Sequence, residues 1–185
     1  MPQYRKSPRA AWIAYNEGSY FVTVCTKDMV NYFGSIRDGQ MFLSEIGRIL
    51  TDELSAPQEH HRHIRVPLFV VMPNHFHGII EVSTPEKETN LPGTRTERCV
   101  AGFVAAAYCI PPPQRNLPLL SAYIGSLKSY VTRMARQEKP DFGWQTRYHD
   151  HLIRSERDLK LIAEYIENNV ARWSDDCFHN PKFPD

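Results

Sequence analysis

The stretch VPLFVVMPNHFHGIIEV, residues 66–82, decides the fold. Its two apolar runs, residues 66–72 and 78–82, are short and rich in β-branched side chains, which predicts buried strands rather than helix. Between them lies a polar insertion that begins with Pro73 and Asn74. Because proline cannot donate a hydrogen bond to a strand ladder, we expect a turn or bulge there. The stretch therefore predicts two central strands joined by a turn.

The second of these strands carries a pair of histidines. Side chains alternate along a strand, so His75 and His77 are expected on one face and Phe76 on the other. Two imidazoles on one face can hold a divalent metal ion, although such a pair can also be hydrogen-bonded and purely structural. Two rival pairs have the same spacing: His61-x-His63, in an expected solvated loop, and His149-x-His151, at the start of another predicted strand. The middle pair is preferred because strand signal brackets it on both sides, and a rigid sheet holds ligands well.

Length and composition narrow the protein class. A chain of 185 residues is expected to form one domain, residues 1–185, with a real core. The net charge of +1 means that any nucleic-acid binding must rest on local patches. No apolar segment is long enough to span a bilayer or to act as a signal peptide, so no membrane partner is expected. The four cysteines show no CxxC spacing, which favours a reduced, cytoplasmic protein: Cys25, Cys99, Cys109 and Cys177.

The first half of the chain has further strand and helix signals. Residues 20–26 predict a strand, and residues 31–42 predict a hairpin that turns at Arg37-Asp38-Gly39. Ser44 is a candidate N-cap for a helix over residues 45–54.

Two segments do not fit this pattern. Residues 83–118 are rich in Thr, Pro, Glu and Arg, and a loop of that length inside a domain is usually functional or disordered. We interpret it as a mobile insertion after the His-x-His strand. The first residues predict a flexible basic arm with Arg5, Lys6 and Arg9, which are candidate DNA contacts.

The longest predicted helix covers residues 119–138. Lys128, Arg133 and Arg136 lie away from its apolar stripe, and a basic face suits a phosphate backbone. A merely solvated face is the commoner meaning of such a pattern. Trp144, which follows the helix, is a candidate for stacking on an unpaired base, although a tryptophan lies more often in the core.

The last predicted helix covers residues 156–172, with Ser155 as its cap. Its residues at helical spacing form an apolar core stripe and a second stripe beside it, which contains Tyr165 and Asn169. Tyr165 and Asn169 are four residues apart, so their side chains neighbour each other on one face at the edge of the core. The predicted core stripe consists of Leu159, Ile162, Ala163, Ile166 and Val170.

A metal-bound histidine pair and a nearby tyrosine would suit phosphate chemistry. A phenol with a pKa of about 10 is a poor nucleophile at neutral pH, but it becomes usable beside a metal-bound phosphate. Two imidazoles and an amide oxygen favour Mg²⁺ or Mn²⁺ over Zn²⁺. Attack by Tyr165 on a DNA phosphodiester would give a covalent phosphotyrosine that keeps the bond energy for rejoining.

Several ordered motifs resemble the single-tyrosine HUH transposases, and among them the REP-associated tyrosine transposases. The resemblance spans nearly the whole chain except the 83–118 insertion. It rests on MPNHFHGII at residues 72–80, GSLKS at 125–129, WQxxYxDHxIR at 144–154 and YIxxN at 165–169.

This resemblance implies an α+β fold of the HUH, ferredoxin-like kind, with a central antiparallel sheet and packed helices. It also implies that His75 and His77 are metal ligands, that Asn169 supplies a third ligand and that Tyr165 is the nucleophile. The implied activity is metal-dependent nicking and rejoining of single-stranded DNA beside hairpins, through a 5′-phosphotyrosine and a free 3′ hydroxyl. The protein would then act in the cytoplasm, at the nucleoid. Val170 departs from the proline usual after the asparagine.

Other functions remain open at this point. One alternative hypothesis is a hairpin-DNA-binding protein whose catalysis is idle, and another is a metal-dependent hydrolase of small phosphoesters. If Tyr165 is not the nucleophile, Tyr130 is the next candidate. The sequence leaves open whether the protein is a monomer or a homodimer.

Overall fold

The computed structural model describes residues 17–83 and 118–179. The basic arm with Arg5, Lys6 and Arg9 lies outside the described residues, as does nearly all of the 83–118 insertion. Three short 3₁₀ segments accompany the regular elements, at Lys27–Met29, Pro57–Glu59 and Val170–Asp175. The strands and helices are β1 (Gly18–Cys25), β2 (Gly34–Arg37), β3 (Gln40–Leu43), α1 (Glu45–Ser55), β4 (Ile64–Val71), β5 (His75–Val82), α2 (Leu119–Ala135), β6 (His149–Leu152) and α3 (Glu156–Asn168).

Four strands form an antiparallel sheet in the order β4-β5-β1-β6, and β2 and β3 form a separate hairpin. The sheet register places Thr23 of β1 beside His77 of β5 on one side and beside His149 of β6 on the other. These three side chains therefore share one face of the sheet. The α+β class and the central antiparallel sheet predicted from the sequence are confirmed.

The turn predicted at Pro73-Asn74 lies between β4 and β5 and is held by its neighbours. The backbone N–H and the hydroxyl of Thr26 both donate to the Asn74 carbonyl, at 2.8 and 3.0 Å. The Phe33 N–H donates to the Pro73 carbonyl at 2.9 Å. These bonds fix the point at which the chain enters β5, and with it the direction in which His75 points.

The two faces of the sheet differ in character. One face carries Phe76, Ile80 and Val22, which are buried in the hydrophobic core with the apolar sides of α1 and α2. The predicted cap of α1 is confirmed, because the Ser44 Oγ accepts a hydrogen bond from the Gly47 N–H at 3.1 Å. The opposite face carries the histidines and is covered by α3.

The prediction for the last helix was partly wrong. It ends at Asn168 rather than at residue 172, and the chain continues as a 3₁₀ segment. Of its apolar residues only Ile166 is fully buried, whereas Leu159, expected in the core, is 39% exposed. The physical reason is that α1 and α2 already cover the apolar face of the sheet. Helix α3 lies over the polar histidine face and has little apolar surface to pack against.

The prediction for α2 was too long, because the helix ends at Ala135 and residues 136–138 form turns. No helix within residues 17–83 and 118–179 combines the length and the apolar character needed to cross a bilayer.

Candidate metal and nucleophile site

The paired imidazoles lie side by side on β5, as the alternation of the strand predicted. His75 is 0% exposed and His77 is 1% exposed. Their Nε2 atoms are 3.0 Å apart. Both rings thus point one nitrogen at the same small volume, which is what two ligands of one cation require.

Asn74 fixes the orientation of His75. The Asn74 Nδ2 donates to the carbonyls of Met29 and Phe178, at 3.2 and 2.9 Å. The amide oxygen of Asn74 therefore faces the His75 Nδ1, at 2.8 Å, and this nitrogen must carry a proton and donate. In the neutral ring the lone pair is then on Nε2, the nitrogen that faces His77. From the sequence, Asn74 was predicted only as part of the turn, and its bond to His75 was not predicted.

Thr23 of β1 holds the other imidazole. Its hydroxyl lies 2.7 Å from the His77 Nδ1, and both groups are buried. Because a hydroxyl can donate or accept, Thr23 satisfies either tautomer of His77. With the proton on Nε2, His77 donates to the lone pair of His75. With the proton on Nδ1, the Nε2 of His77 is free to bind a cation.

Both imidazoles are neutral at pH 7. Burial lowers the pKa of His77 to about 3. Burial, together with the charge on a protonated His77, lowers the pKa of His75 well below its usual value. Neutral imidazole is the form that binds metal ions, so protons do not compete for this pair at neutral pH.

The Tyr165 hydroxyl of α3 meets the pair from above the sheet. It lies 3.2 Å from the His77 Nε2, and the residue is 40% exposed. Phe21 of β1 stacks on the His77 ring with centroids 5.3 Å apart and meets the Tyr165 ring edge-on at 6.0 Å. The structure therefore brings together Tyr165 and the histidines, which are separated by 88 residues in the chain.

The phenol is protonated at neutral pH. Burial raises the pKa of Tyr165, the Asp176 carboxylate raises it further, and a hydrogen bond with Asn169 opposes the increase. To act as a nucleophile, Tyr165 therefore needs a reacting partner from which charge is withdrawn.

Two oxygen groups complete the surroundings of the imidazoles. Asn169, at the end of α3, is 3% exposed, and its Oδ1 has no hydrogen-bond partner among the described residues. Asp176, which follows the 3₁₀ segment, places Oδ2 3.9 Å from the His75 Nε2. Sequence analysis missed Asp176. It lies 99 residues beyond His77, in a segment without helical or strand periodicity. The only sequence signal for it is its position seven residues after Asn169.

This donor set fits a divalent cation. Ligand atoms of His75, His77 and Asp176 all lie within 4.8 Å of one another. A buried amide oxygen without a partner is costly unless something positive approaches it. Two imidazole nitrogens with oxygen donors form a ligand set that divalent cations accept in proteins.

The basic and aromatic candidates from α2 and the segment after it lie elsewhere. The Trp144 ring packs against Phe76, on the face of the sheet opposite to the histidines, and its indole N–H donates to the Lys128 carbonyl. The Lys128 ammonium in turn donates to the Gln145 carbonyl at 2.7 Å. The structure thus uses Lys128 and Trp144 to hold the segment after α2, and a role of either residue in contacting DNA stays a prediction.

Arg133 in α2 and Arg136, directly after its end, have exposed side chains. The Arg133 guanidinium lies over the Tyr130 ring at 5.4 Å. The Arg136 Nε donates to the Phe142 carbonyl at 3.1 Å. Arg133 belongs to α2 and Arg136 caps its end, and α2 packs on the other face of the sheet from Tyr165, so neither is brought to the histidine pair.

The rival histidine pairs do not form comparable sites. His149 and His151 share the histidine face of the sheet but are exposed, and the His151 Nε2 is bonded to Asp158 of α3 at 2.9 Å. The His61 ring meets Tyr123 edge-on on the other side of the molecule. Only the β5 pair, among the described residues, joins buried imidazoles to a third ligand group.

Comparison with known proteins agrees with the fold. No protein-family model matches the chain. The chain is 32% identical over 176 residues to an uncharacterized protein of Haemophilus influenzae, covering 94% of this chain and 92% of that protein. Among solved structures, a REP-associated tyrosine transposase bound to a REP hairpin matches with a TM-score of 0.55 and 16% identity, covering 94% of this chain and 74% of that one. The fold that the sequence motifs implied is thereby confirmed.

Proposed function

We propose that this chain, which belongs to the same family as the Haemophilus influenzae protein, is a metal-dependent single-stranded DNA endonuclease and strand transferase that acts beside DNA hairpins. The observation that carries the proposal is the Tyr165 hydroxyl, 3.2 Å from the His77 Nε2. The fold shared with a hairpin-bound transposase supports DNA as the substrate.

In this proposal His75, His77 and Asn169 hold Mg²⁺ or Mn²⁺. When bound, the cation withdraws charge from a phosphoryl oxygen and orients the phosphate. The Tyr165 oxygen then attacks phosphorus, so that a bond from the phenolic oxygen to phosphorus forms and the bond to the 3′ oxygen breaks. The phenolic proton leaves to water, because Tyr165 is partly exposed, and the departing 3′ oxygen takes up a proton.

The product is a 5′ phosphate on Tyr165 and a free 3′ hydroxyl. Since the phosphotyrosine bond replaces the phosphodiester bond, attack by another 3′ hydroxyl rejoins a strand and needs no external energy source. Phe21 helps to position the nucleophile, because its ring contacts both the His77 ring and the Tyr165 ring.

The test is incubation of the protein with a single-stranded hairpin oligonucleotide and Mn²⁺, followed by a denaturing gel. We expect a covalent protein–DNA species with the natural chain and none with Tyr165→Phe. Tyr130→Phe is the matched control, because Tyr130 is a partly buried tyrosine of α2 whose ring lies under the Arg133 guanidinium, on the other face of the sheet from the histidines. An adduct that persists in Tyr165→Phe and disappears in Tyr130→Phe would exchange the two assignments.

A second function is a hairpin-DNA-binding protein with idle catalysis. The observation in its favour is the closure of the site, since the two imidazoles are 0% and 1% exposed. This function requires hairpin affinity with a steep salt dependence and no cleavage with either cation. The gel separates the two functions, because an idle protein shifts the hairpin on a native gel but forms no covalent species.

Contacts with the DNA backbone are also a proposal. The exposed side chains of Arg133 in α2 and of Arg136 at its end are candidates to contact phosphates of a hairpin stem. The predicted basic arm, with Arg5, Lys6 and Arg9, is another candidate. Each lost phosphate contact is expected to weaken binding about equally for all sequences and to reduce the salt slope by about one. Binding of Arg133→Gln and of a chain without residues 1–9, measured at several salt concentrations, tests these contacts separately.

A further inference from the structure

We propose that Asp176 supplies the negatively charged ligand of the metal site and that cation binding thereby docks the segment after α3 onto the sheet. The inference rests on the cation of the proposed function, but it concerns a residue outside the histidine, tyrosine and asparagine motifs. Asp176 would join His75, His77 and Asn169 in a set with two nitrogen and two oxygen donors.

The burial of the Asp176 carboxylate supports its role as a metal ligand. The Asp176 side chain is only 4% exposed, and among the described residues no lysine or arginine pairs with it. The basic group nearest to its Oδ2 is the Nε2 of His75, 3.9 Å away, on a ring that is itself fully buried. Taking an unbalanced carboxylate out of water is expensive, and proteins ordinarily pair such a group or coordinate it to a metal.

The positions of the two Asp176 carboxylate oxygens also support this role. The Asp176 Oδ1 accepts a hydrogen bond from the Phe178 N–H at 2.8 Å, so this oxygen is already satisfied. The other oxygen faces His75 at 3.9 Å, which is too long for a hydrogen bond. Ligand atoms about 2.0–2.1 Å from one Mg²⁺ lie roughly 3–4 Å from their neighbours, so this spacing suits two ligands of one cation.

A buried amide oxygen without a hydrogen-bond partner among the described residues belongs to the same part of the chain as Asp176. Asn169 precedes the 3₁₀ segment and Asp176 follows it, so the segment Val170–Asp175 connects two oxygen donors. The Asn169 Oδ1 is buried without a partner. One cation between the imidazoles would satisfy the Asn169 Oδ1 and would also bind the Asp176 carboxylate.

The consequence is a coupling between the cation and the end of the described chain. The Phe178 ring lies over the His75 ring with centroids 4.7 Å apart, and the Phe178 carbonyl accepts from the Asn74 Nδ2 at 2.9 Å. A cation bound to Asp176 would strengthen this docking, because one ion would then connect β5, the end of α3 and the segment 176–179.

The test is titration of the metal-free protein with Mn²⁺ alone, followed by calorimetry, for the natural chain and for Asp176→Asn. We expect the variant to bind Mn²⁺ at least about tenfold more weakly, since loss of even an outer partner of a metal site costs about 10- to 100-fold. Asp175→Asn is the matched control, because Asp175 is exposed and adjacent in the chain, and it should bind as the natural chain does.

A second measurement separates a ligand from a merely structural residue. Without metal, Asp176→Asn should unfold at the same or a higher temperature, because it removes an unbalanced buried charge and keeps an acceptor for the Phe178 N–H. With Mn²⁺ the natural chain should show the larger upward shift. Equal Mn²⁺ affinity in Asp176→Asn and the natural chain, with binding lost in His75→Ala, would overturn the role of Asp176 and leave the proposed function standing. Failure of the natural chain to bind Mn²⁺ would overturn both.

Discussion

Removal of one buried hydroxyl, in Thr23→Val, should weaken the metal site without touching a ligand. The hydroxyl lies 2.7 Å from the His77 Nδ1 and lets that ring present Nε2 to a cation. Valine has nearly the same shape and is well suited to a strand interior, so β1 should keep its register. The substitution leaves the His77 Nδ1 buried and without a partner.

The lost hydroxyl should change two quantities, the free energy of unfolding and the affinity for Mn²⁺. An unsatisfied buried polar group costs about 1–3 kcal/mol, so the free energy of unfolding should decrease by that order. Loss of the partner that orients a metal-binding histidine should reduce Mn²⁺ affinity about 10- to 100-fold, which corresponds to about 1.4–2.8 kcal/mol. The two losses need not be equal, because the first is measured without metal.

The assay combines urea unfolding of the metal-free protein with calorimetric titration of Mn²⁺. Thr51→Val is the matched control, because the Thr51 hydroxyl donates to the Gly47 carbonyl within α1, far from the imidazoles in the fold. We expect the control to bind Mn²⁺ like the natural chain. Undiminished Mn²⁺ affinity in Thr23→Val would refute the reasoning that Thr23 orients His77.

Two further predictions concern stability. Because burial lowers the pKa of His75 and of His77, the unfolded chain takes up protons below about pH 6.5 that the folded chain does not. The part that comes from His77 is fully present above that pH and is lost toward pH 3, by about 1.4 kcal/mol per pH unit. His75 adds to the loss in the same direction, and urea unfolding across this range should show the decline. Gly125→Ala in α2 meets open space and should stabilise the protein by about 0.5–1 kcal/mol. Gly47→Ala in α1 should instead destabilise it by about 1–3 kcal/mol, because the new Cβ would lie 2.1 Å from the Phe33 carbonyl oxygen. Urea unfolding measures both changes, and a change of the opposite sign in either variant would contradict this packing.

Local patterns were enough to predict the sheet and the face of the histidines. Strand alternation alone places His75 and His77 together and Phe76 opposite, and the structure has them so. The helical spacing of four between Tyr165 and Asn169 likewise predicted their common face. Such features depend on residues close in the chain, for which periodicity carries the information.

Features that depend on distant contacts were not predicted. The exposure of Leu159 follows from the covering of the apolar sheet face by other helices, which its own periodicity does not report. Asp176 meets His75 only because the chain turns back after α3, and no spacing signals this. Lys128 looked like a solvated cation from helical spacing, yet its ammonium is bonded to the Gln145 carbonyl of the next segment.

The most direct test of the central claim is the identity of the DNA end that becomes attached to Tyr165. A hairpin oligonucleotide carries one dye on its 5′ end and another on its 3′ end, and the covalent species formed with Mn²⁺ is digested and examined by mass spectrometry. The proposed chemistry predicts that the fragment on the 3′ side of the nick stays on the protein, through its 5′ phosphate on the peptide that contains Tyr165. Attachment of the other fragment, or of either fragment to a different residue, would contradict it.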